Sequence, residues 1–460
     1  MDSQGAVPSP LHGWLGAVIP ADARTFRVAD PALAATLLDA GGHLTDTSPD
    51  VEIVSPDDVS GDAAHVIAVI DAGQQEGGGR FLRAARRLLG SLRARLSAAR
   101  ARRVVRSHGY GTTSVVLWDV DQVVYLRRAW PGSSRRPLAE HLPQRALVVG
   151  SHSPGAPSVL EAVAQEVQRH TGVALHYGLP LARVGLTLAI SSDHVVRIAI
   201  GPGRRKIELQ RAALERLAAA KPPSLLVNRV PWTQASGRVG LADWSVERRL
   251  PGTTASPALA PQLVRDCTDF LVALHGATGS DSMRAPVTQD AEIVAGVCGP
   301  EHRDGVIDLG RELDSRLAEL PRGFGHGDFW TRNLLVIDDR LAGVIDWDAA
   351  GPDRLPVLDL LHLCLSARRE RTREYLGAAL VRYMLPWARS GGDETVRTYC
   401  SRIGIDIGGT VLEDLVLAYW LNRVAFELSL FADRIERPLW MENNVQLVLE
   451  TLARDARVSA

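Results

Sequence analysis

Two stretches hold most of the residues able to do chemistry, "GHGDFWTRNLL" at 325–335 and "GVIDWD" at 343–348. They gather a His, acidic residues and an Asn between glycines and apolar runs. An unpaired carboxylate away from water is costly, so a buried strand would not select Asp328 or Asp346. A solvated loop would have no use for the flanking apolar runs at 334–337 and 341–345. A chemical role accounts for both features. Asp328, in a tight loop opened by Gly325 and Gly327, can accept a proton from an attacking hydroxyl. The amide oxygen of Asn333 and the carboxylate of Asp346 are hard ligands, suited to Mg²⁺ rather than Zn²⁺. A base, an Asn and an Asp for metal ions are the parts of a phosphoryl-transfer site, where alignment and charge neutralisation supply most of the catalysis.

The elements that must position these groups follow from the pattern. Asp338-Asp339-Arg340 is turn material between the two apolar runs, so a hairpin is expected with Asp339-Arg340 at its tip. On that register Asp338 faces Leu341, and Asn333 lies opposite Asp346.

His326-Gly327-Asp328, Asn333, Ile345-Asp346-Trp347-Asp348, Pro356 and Asp359-Leu360 together resemble the aminoglycoside phosphotransferase and choline kinase family, over about residues 160–460. The resemblance implies an α+β fold, a protein-kinase-like two-lobed phosphotransferase domain. It assigns Asp328 as the catalytic base and Asn333 and Asp346 as Mg²⁺ ligands, with His326 and Asp359 bracing the loop. It implies ATP as co-substrate, with GTP as an alternative, and a small-molecule hydroxyl acceptor: a sugar, an amino alcohol or an antibiotic.

The same fold uses a basic strand residue to hold phosphates, paired with a helix Glu. Only Lys206 and Lys221 are lysines, so an arginine is a natural stand-in. Arg197 in "HVVRIAI" occupies that strand position, with Glu208 or Glu215 as partner; Lys206 is its rival, and a surface role for Arg197 is the alternative. Residues Ser245, Val246 and Glu247 in "WSVERRLPG" resemble the segment between the lobes, whose backbone meets adenine. An ordinary edge strand before a Pro-Gly turn is the other reading. No glycine-rich phosphate loop is present, since "ARVGLTLAIS" holds only Gly185. His275 reads as a packing residue, and Tyr419, Trp420 and Phe426 as core or as acceptor-pocket lining.

Length and composition complete the expectation. At 460 residues the chain calls for more than one domain. A small α/β domain, Rossmann-like but degenerate, is expected over 1–150, from strands at 25–29, 51–54 and 65–71. It lacks a G-x-G-x-x-G turn, so no cofactor is assigned to it. An arginine-rich helix at 80–106 and a hairpin through Asp119–Gln122 complete it, and the Pro/Gly/Ser-rich stretch before 158 marks its boundary. The small lobe then spans 155–255 and the helical large lobe 256–460, and a chain starting near 155 is expected to fold by itself. A formal net charge of -1 gives no electrostatic case for nucleic acid. No apolar run is long enough for a transmembrane segment and the start lacks signal-peptide character, so a cytoplasmic location is expected, with oligomeric state open. Two other functions fit less closely: a nucleotide-binding pseudokinase, and a bifunctional protein with a second activity in 1–150.

Overall fold

The computed structural model describes residues 19–55, 58–60, 62–71, 97, 99–107, 111–118, 145–151, 157–172, 177–181, 186–191, 193–201, 203–277, 286–355, 357–430 and 434–459. Most of the arginine-rich helix, the whole tip of the expected 119–122 hairpin, and Pro356 lie outside them. The chain divides into two compact units, one of residues 1–208 and 232–249, the other of 209–231 and 250–460.

The first unit contains a six-stranded sheet in the order β2-β1-β3-β4-β6-β5. Strands β1 (Thr25–Val28), β2 (His43–Leu44), β3 (Val51–Val54) and β4 (His65–Asp71) run parallel. Strands β5 (Gly111–Trp118) and β6 (Arg145–Ser151) close it in antiparallel pairing, and residues 119–128 of the expected hairpin lie outside the described residues. Helix α1 (Pro31–Asp39) follows β1 with no glycine turn between them. Its N-terminal amides are taken by the carboxylate of Asp30, which accepts from Ala32 and Leu33. That carboxylate sits where a helix N-terminus would otherwise meet a phosphate.

The second sheet of this unit has the order β7-β8-β9-β11-β10, antiparallel throughout: β7 (Tyr177–Leu181), β8 (Leu186–Ile190), β9 (His194–Ala199), β10 (Thr233–Val239) and β11 (Ala242–Arg248). Helix α2 (Val159–Thr171) precedes it, held by a capping box between Ser158 and Glu161. Helix α3 (Gly203–Ala219) interrupts it between β9 and β10.

One hydrophobic core serves both sheets. Phe26, Leu37, Val51 and Ile67 from the first pack in the same cluster as Val163 and Val167 of α2 and Val196, Ile198, Trp244 and Val246 of the second. The stretch before 158 reads as a linker, yet it is stitched down. The Ala21 amide donates to Pro157 at 3.0 Å and the Val159 amide donates to Ile19 at 2.9 Å. The shared core points away from a small lobe that folds alone from residue 155.

The second unit carries the short sheets and most helices. Strands β12 (Thr253–Thr254), β14 (Leu334–Ile337) and β15 (Arg340–Val344) form one sheet, and β13 (Gly323–Gly325) pairs with β16 (Gly351–Arg354). Helices α4 (Pro261–His275), α5 (Val287–Ala295), α6 (Pro300–Arg316), α7 (Val357–Thr372) and α8 (Val411–Leu430) build the body. No helix among the described residues is long and apolar enough to cross a membrane.

The shared core has a measurable consequence. Phe26→Ala should destabilise the first unit by about 3–5 kcal/mol, the usual cost of emptying a buried aromatic site. Hydrogen exchange should show protection falling in β9 and β11 together with β1 and β3. Loss confined to β1 and β3 would show that the two sheets open independently.

Candidate active site

The hairpin that carries the site turns one residue earlier than the sequence suggests. Ile337 pairs with Arg340, so Asp338 and Asp339 form the tip, with φ of 49° and 57°. A two-residue hairpin turn of this hand needs positive φ at both positions, which Asp adopts at lower cost than Arg. The expected Asp339-Arg340 tip is therefore replaced. A bulge between Leu335 and Val336 then shifts the register again, and the Ile345 amide donates to the Asn333 carbonyl at 2.9 Å. Asn333 thus lies opposite Ile345, with Asp346 one residue further on. The hairpin is anchored at its tip: Asp266 of α4 accepts from Arg340 Nε and Nη2 at 2.7 and 3.0 Å, and from the Leu341 amide at 3.1 Å.

The loop from 325 to 333 is fixed from below. Gly327 has φ 77°, and a Cβ there would collide with the Ala349 carbonyl oxygen, so only glycine fits. His326 is fully buried, and its ring meets Trp347 edge-on at 4.7 Å. Its Nε2 lies 3.1 Å from the Ile345 carbonyl, while Nδ1 accepts from the Asp328 amide at 3.3 Å. One imidazole therefore ties the loop to the hairpin. Asp359, in the first turn of α7, accepts from the amides of His326 at 2.7 Å and Gly327 at 2.9 Å. Burial pushes its carboxyl above the usual range, opposed by these amides, His326 and Arg354. The short turn Thr331–Asn333 is held to α7 by Glu370, which takes the Thr331 hydroxyl at 2.6 Å and Arg332 Nε at 2.8 Å.

Asp328 sits at the centre of this frame. Asn333 Nδ2 donates to its carbonyl at 2.9 Å and to its Oδ2 at 3.0 Å. Arg423 Nη1 of α8 lies 3.0 Å from Oδ1 and also donates to the Gly327 carbonyl at 3.1 Å. His362 of α7 places Nε2 3.3 Å from the same Oδ1, near but not in line for a hydrogen bond, and its Nδ1 meets the Tyr419 hydroxyl at 3.0 Å. Burial alone would raise the Asp328 carboxyl. His362, Arg423 and His326 more than offset it and hold it below the usual carboxylate range. Burial and Arg423 push His362 down to about 4, which keeps it neutral near pH 7.

With its nitrogen committed to Asp328, Asn333 keeps Oδ1 as an acceptor, which fits a hard cation. Asp346 has φ 67°, a conformation that is uncommon outside glycine and typical of residues held for function. Its neighbour Trp347 is fully buried and donates its amide to Gln210 of α3 at 3.2 Å. Among the described residues no three His, Cys, Asp or Glu side chains converge as a metal cage. Mg²⁺ does not require one, since it is usually held by one or two carboxylates together with substrate phosphates.

In the first unit the sequence-picked residues separate. Arg197 donates through Nε to Glu247 Oε1 at 2.9 Å, both side chains nearly buried on one face of the second sheet. The expected helix partners are engaged elsewhere, Glu208 with Arg205 and Glu215 with Arg211. Lys206 lies in the first turns of α3, partly buried. Ser245, Val246 and Glu247 are not a linker. They sit inside β11 opposite Arg197, Val196 and Val195 on one side and Ser236, Ala235 and Thr233 on the other, so ladder pairing uses their backbone groups. The chain leaves the unit only after Arg249.

Residues the sequence did not single out are His362, Arg423 and Arg354. Two signals point to them. His362 follows Asp359 by three residues on one helix, and Arg423 interrupts the apolar run of α8 one turn after Tyr419. Of the aromatics in that run, Trp420 is core, Tyr419 contacts His362, and Phe426 lies under the Arg423 guanidinium at 4.6 Å. His275 packs against Gly323, as a buried helix-end residue.

Residues 187–394 match the model of the phosphotransferase enzyme family, which bears out the resemblance read from the motifs. No curated protein matches the chain. Among solved structures, the apo form of a thermostable mutant of aminoglycoside phosphotransferase APH(4)-Ia is similar at 16% identity, covering 58% of this chain and 91% of that one, with a TM-score of 0.38. Aminoglycoside phosphotransferase APH(3'')-Id from Streptomyces rimosus is similar at 17% identity, covering 52% and 89%, with a TM-score of 0.35. A further variant of the thermostable APH(4)-Ia, in a ternary complex with ADP and hygromycin B, is similar at 13% identity, covering 63% and 98%, with a TM-score of 0.41.

Asp359 gives the sharpest test of the loop's support. Asp359→Ala leaves two amides without acceptors, at about 1–3 kcal/mol each. Urea unfolding should show a loss of that order, and exchange protection at His326 and Gly327 should disappear. Unchanged protection at those amides would mean that Asp359 does not hold the loop.

Proposed function

We propose, from the match of residues 187–394 to the phosphotransferase enzyme family, that this small-molecule kinase moves the γ-phosphoryl group of ATP to a hydroxyl of its acceptor. GTP remains an alternative donor. The observation that carries the reading is the grip on Asp328, whose two carboxylate oxygens are fixed by Asn333 on one side and by Arg423 and His362 on the other. Beside it, Asn333 keeps its amide oxygen as an acceptor, and Asp346 follows the next strand with φ 67°.

In the reaction the acceptor oxygen attacks the γ-phosphorus, and the bond from that phosphorus to the bridging oxygen breaks, releasing ADP. The hydroxyl proton passes to Asp328. Held below the usual carboxylate range, Asp328 is a weak base, so its first task is to orient the hydroxyl. It takes the proton late, once bonding to phosphorus has made the hydroxyl acidic, which suits a loose transition state. Asn333 and Asp346 would hold Mg²⁺, which neutralises polyphosphate charge when bound. Arg197 or Lys206 is the phosphate-holding residue of the first unit.

Asp328→Asn should lower kcat by about 10²–10⁴-fold while MgATP binding survives, read by steady-state assay and calorimetry on the same protein. Unchanged kcat would remove Asp328 from the chemistry. Asp346→Asn keeps a residue that tolerates positive φ, and should weaken MgATP binding more than Lys206→Met or Arg197→Gln does. The reverse order would place the nucleotide's principal charge partner in the first unit.

A further inference from the structure

We propose that the pocket beside Asp328 takes an acceptor carrying an anionic group, a carboxylate or a phosphate, close to its reacting hydroxyl. This rests on the phosphotransferase reading, and it separates the site from one built for polyamines. The pocket is lined by residues that include Gly327, Arg354, Asp359, His362, Tyr419 and Arg423. Two of them are guanidinium groups, and one is a carboxylate.

That carboxylate is spent. Both oxygens of Asp359 accept loop amides. Asp328, next to the pocket, has Arg423 at 3.0 Å. Asp290 of α5 is satisfied by Asn422, whose amide donates to it at 2.9 Å. Glu370 is engaged by Arg332 and Glu427 by the Trp440 indole. The pocket lining thus offers an ammonium ion no uncommitted carboxylate, and it would meet two arginines.

The arginines have capacity to spare. Arg354 donates through Nη2 to the Ala349 carbonyl at 3.0 Å, a bond that leaves Nε and Nη1 out. The Arg423 contacts to Asp328 and Gly327 use Nη1 alone. A guanidinium with donors to spare matches a carboxylate or phosphate, and Nη2 keeps a second hydrogen with which to complete a bidentate edge. Arg354 is the specificity residue in this account, since Arg423 already serves Asp328.

Four sugars of one ring type supply the test: glucose, glucosamine, glucuronate and glucose 6-phosphate, each titrated calorimetrically into the full chain with and without MgADP. Glucuronate or glucose 6-phosphate should bind at least ten-fold tighter than glucose, and glucosamine should bind weakest. The tighter of the two acids identifies the anion. Arg354→Gln should erase the preference, and Arg354→Lys, which keeps the charge but not the fork, should retain part of it. Glucosamine binding as tightly as the acids, equal binding of all four, or binding of none overturns the proposal. Titration of MgATP alone judges the kinase reading separately: a chain that binds MgATP yet prefers glucosamine keeps its chemistry and loses only this pocket assignment.

Discussion

The carboxylate of Asp328 is the group around which the second unit is arranged. It is largely buried, and an uncompensated charge there would be expensive. Asn333, Arg423 and His362 reach it from the 325–333 loop, α8 and α7 respectively. Each of those elements must therefore be held in place, and each is. The loop hangs from Asp359, its short turn is clamped by Glu370, and the hairpin beyond it is pinned by Asp266. Acidic side chains bind backbone amides and arginines at every joint. An arginine-rich composition is thus expressed in the fold as a set of fixed carboxylates.

The grip has a consequence for reactivity. Arg423 stabilises the ionised form, so Asp328 is ready to accept a hydrogen bond but reluctant to keep a proton. Positioning then matters more than basicity, as expected where the transferring group needs little covalent help. His362 can stay neutral because burial and Arg423 oppose its protonation. A charged His362 would add a third cation to the pocket and weaken the pairing of Asp328 with Arg423.

Much of this was legible in the chain. The apolar runs on either side of Asp338-Asp339 announced the hairpin, and the strands at 25–28, 51–54 and 65–71 followed from short β-branched runs. The hairpin register was not, because hydrophobic pattern alone cannot tell Asp338-Asp339 from Asp339-Arg340 as the tip; the tolerance of Asp for positive φ decides it. Long-range pairs were also hidden. Nothing local links Arg423 to Asp328 or Arg197 to Glu247, since helix packing makes the first and strand register the second. The boundary near 150 misled for a related reason. Proline, glycine and serine mark a break in regular structure, but Pro157 and Val159 are bonded to Ala21 and Ile19, and the core continues across.

The central claim is that Asn333 commits its nitrogen to Asp328 so that its oxygen can join the Asp346 carboxylate on a divalent cation. A crystal structure of the full chain with Mg²⁺ and a non-hydrolysable ATP analogue tests this directly. The account predicts a metal ion bound by Asn333 Oδ1 and an Asp346 carboxylate oxygen, with Asn333 Nδ2 still on Asp328. A nucleotide bound with its metal on other residues, or an Asn333 side chain turned away from Asp328, would contradict it.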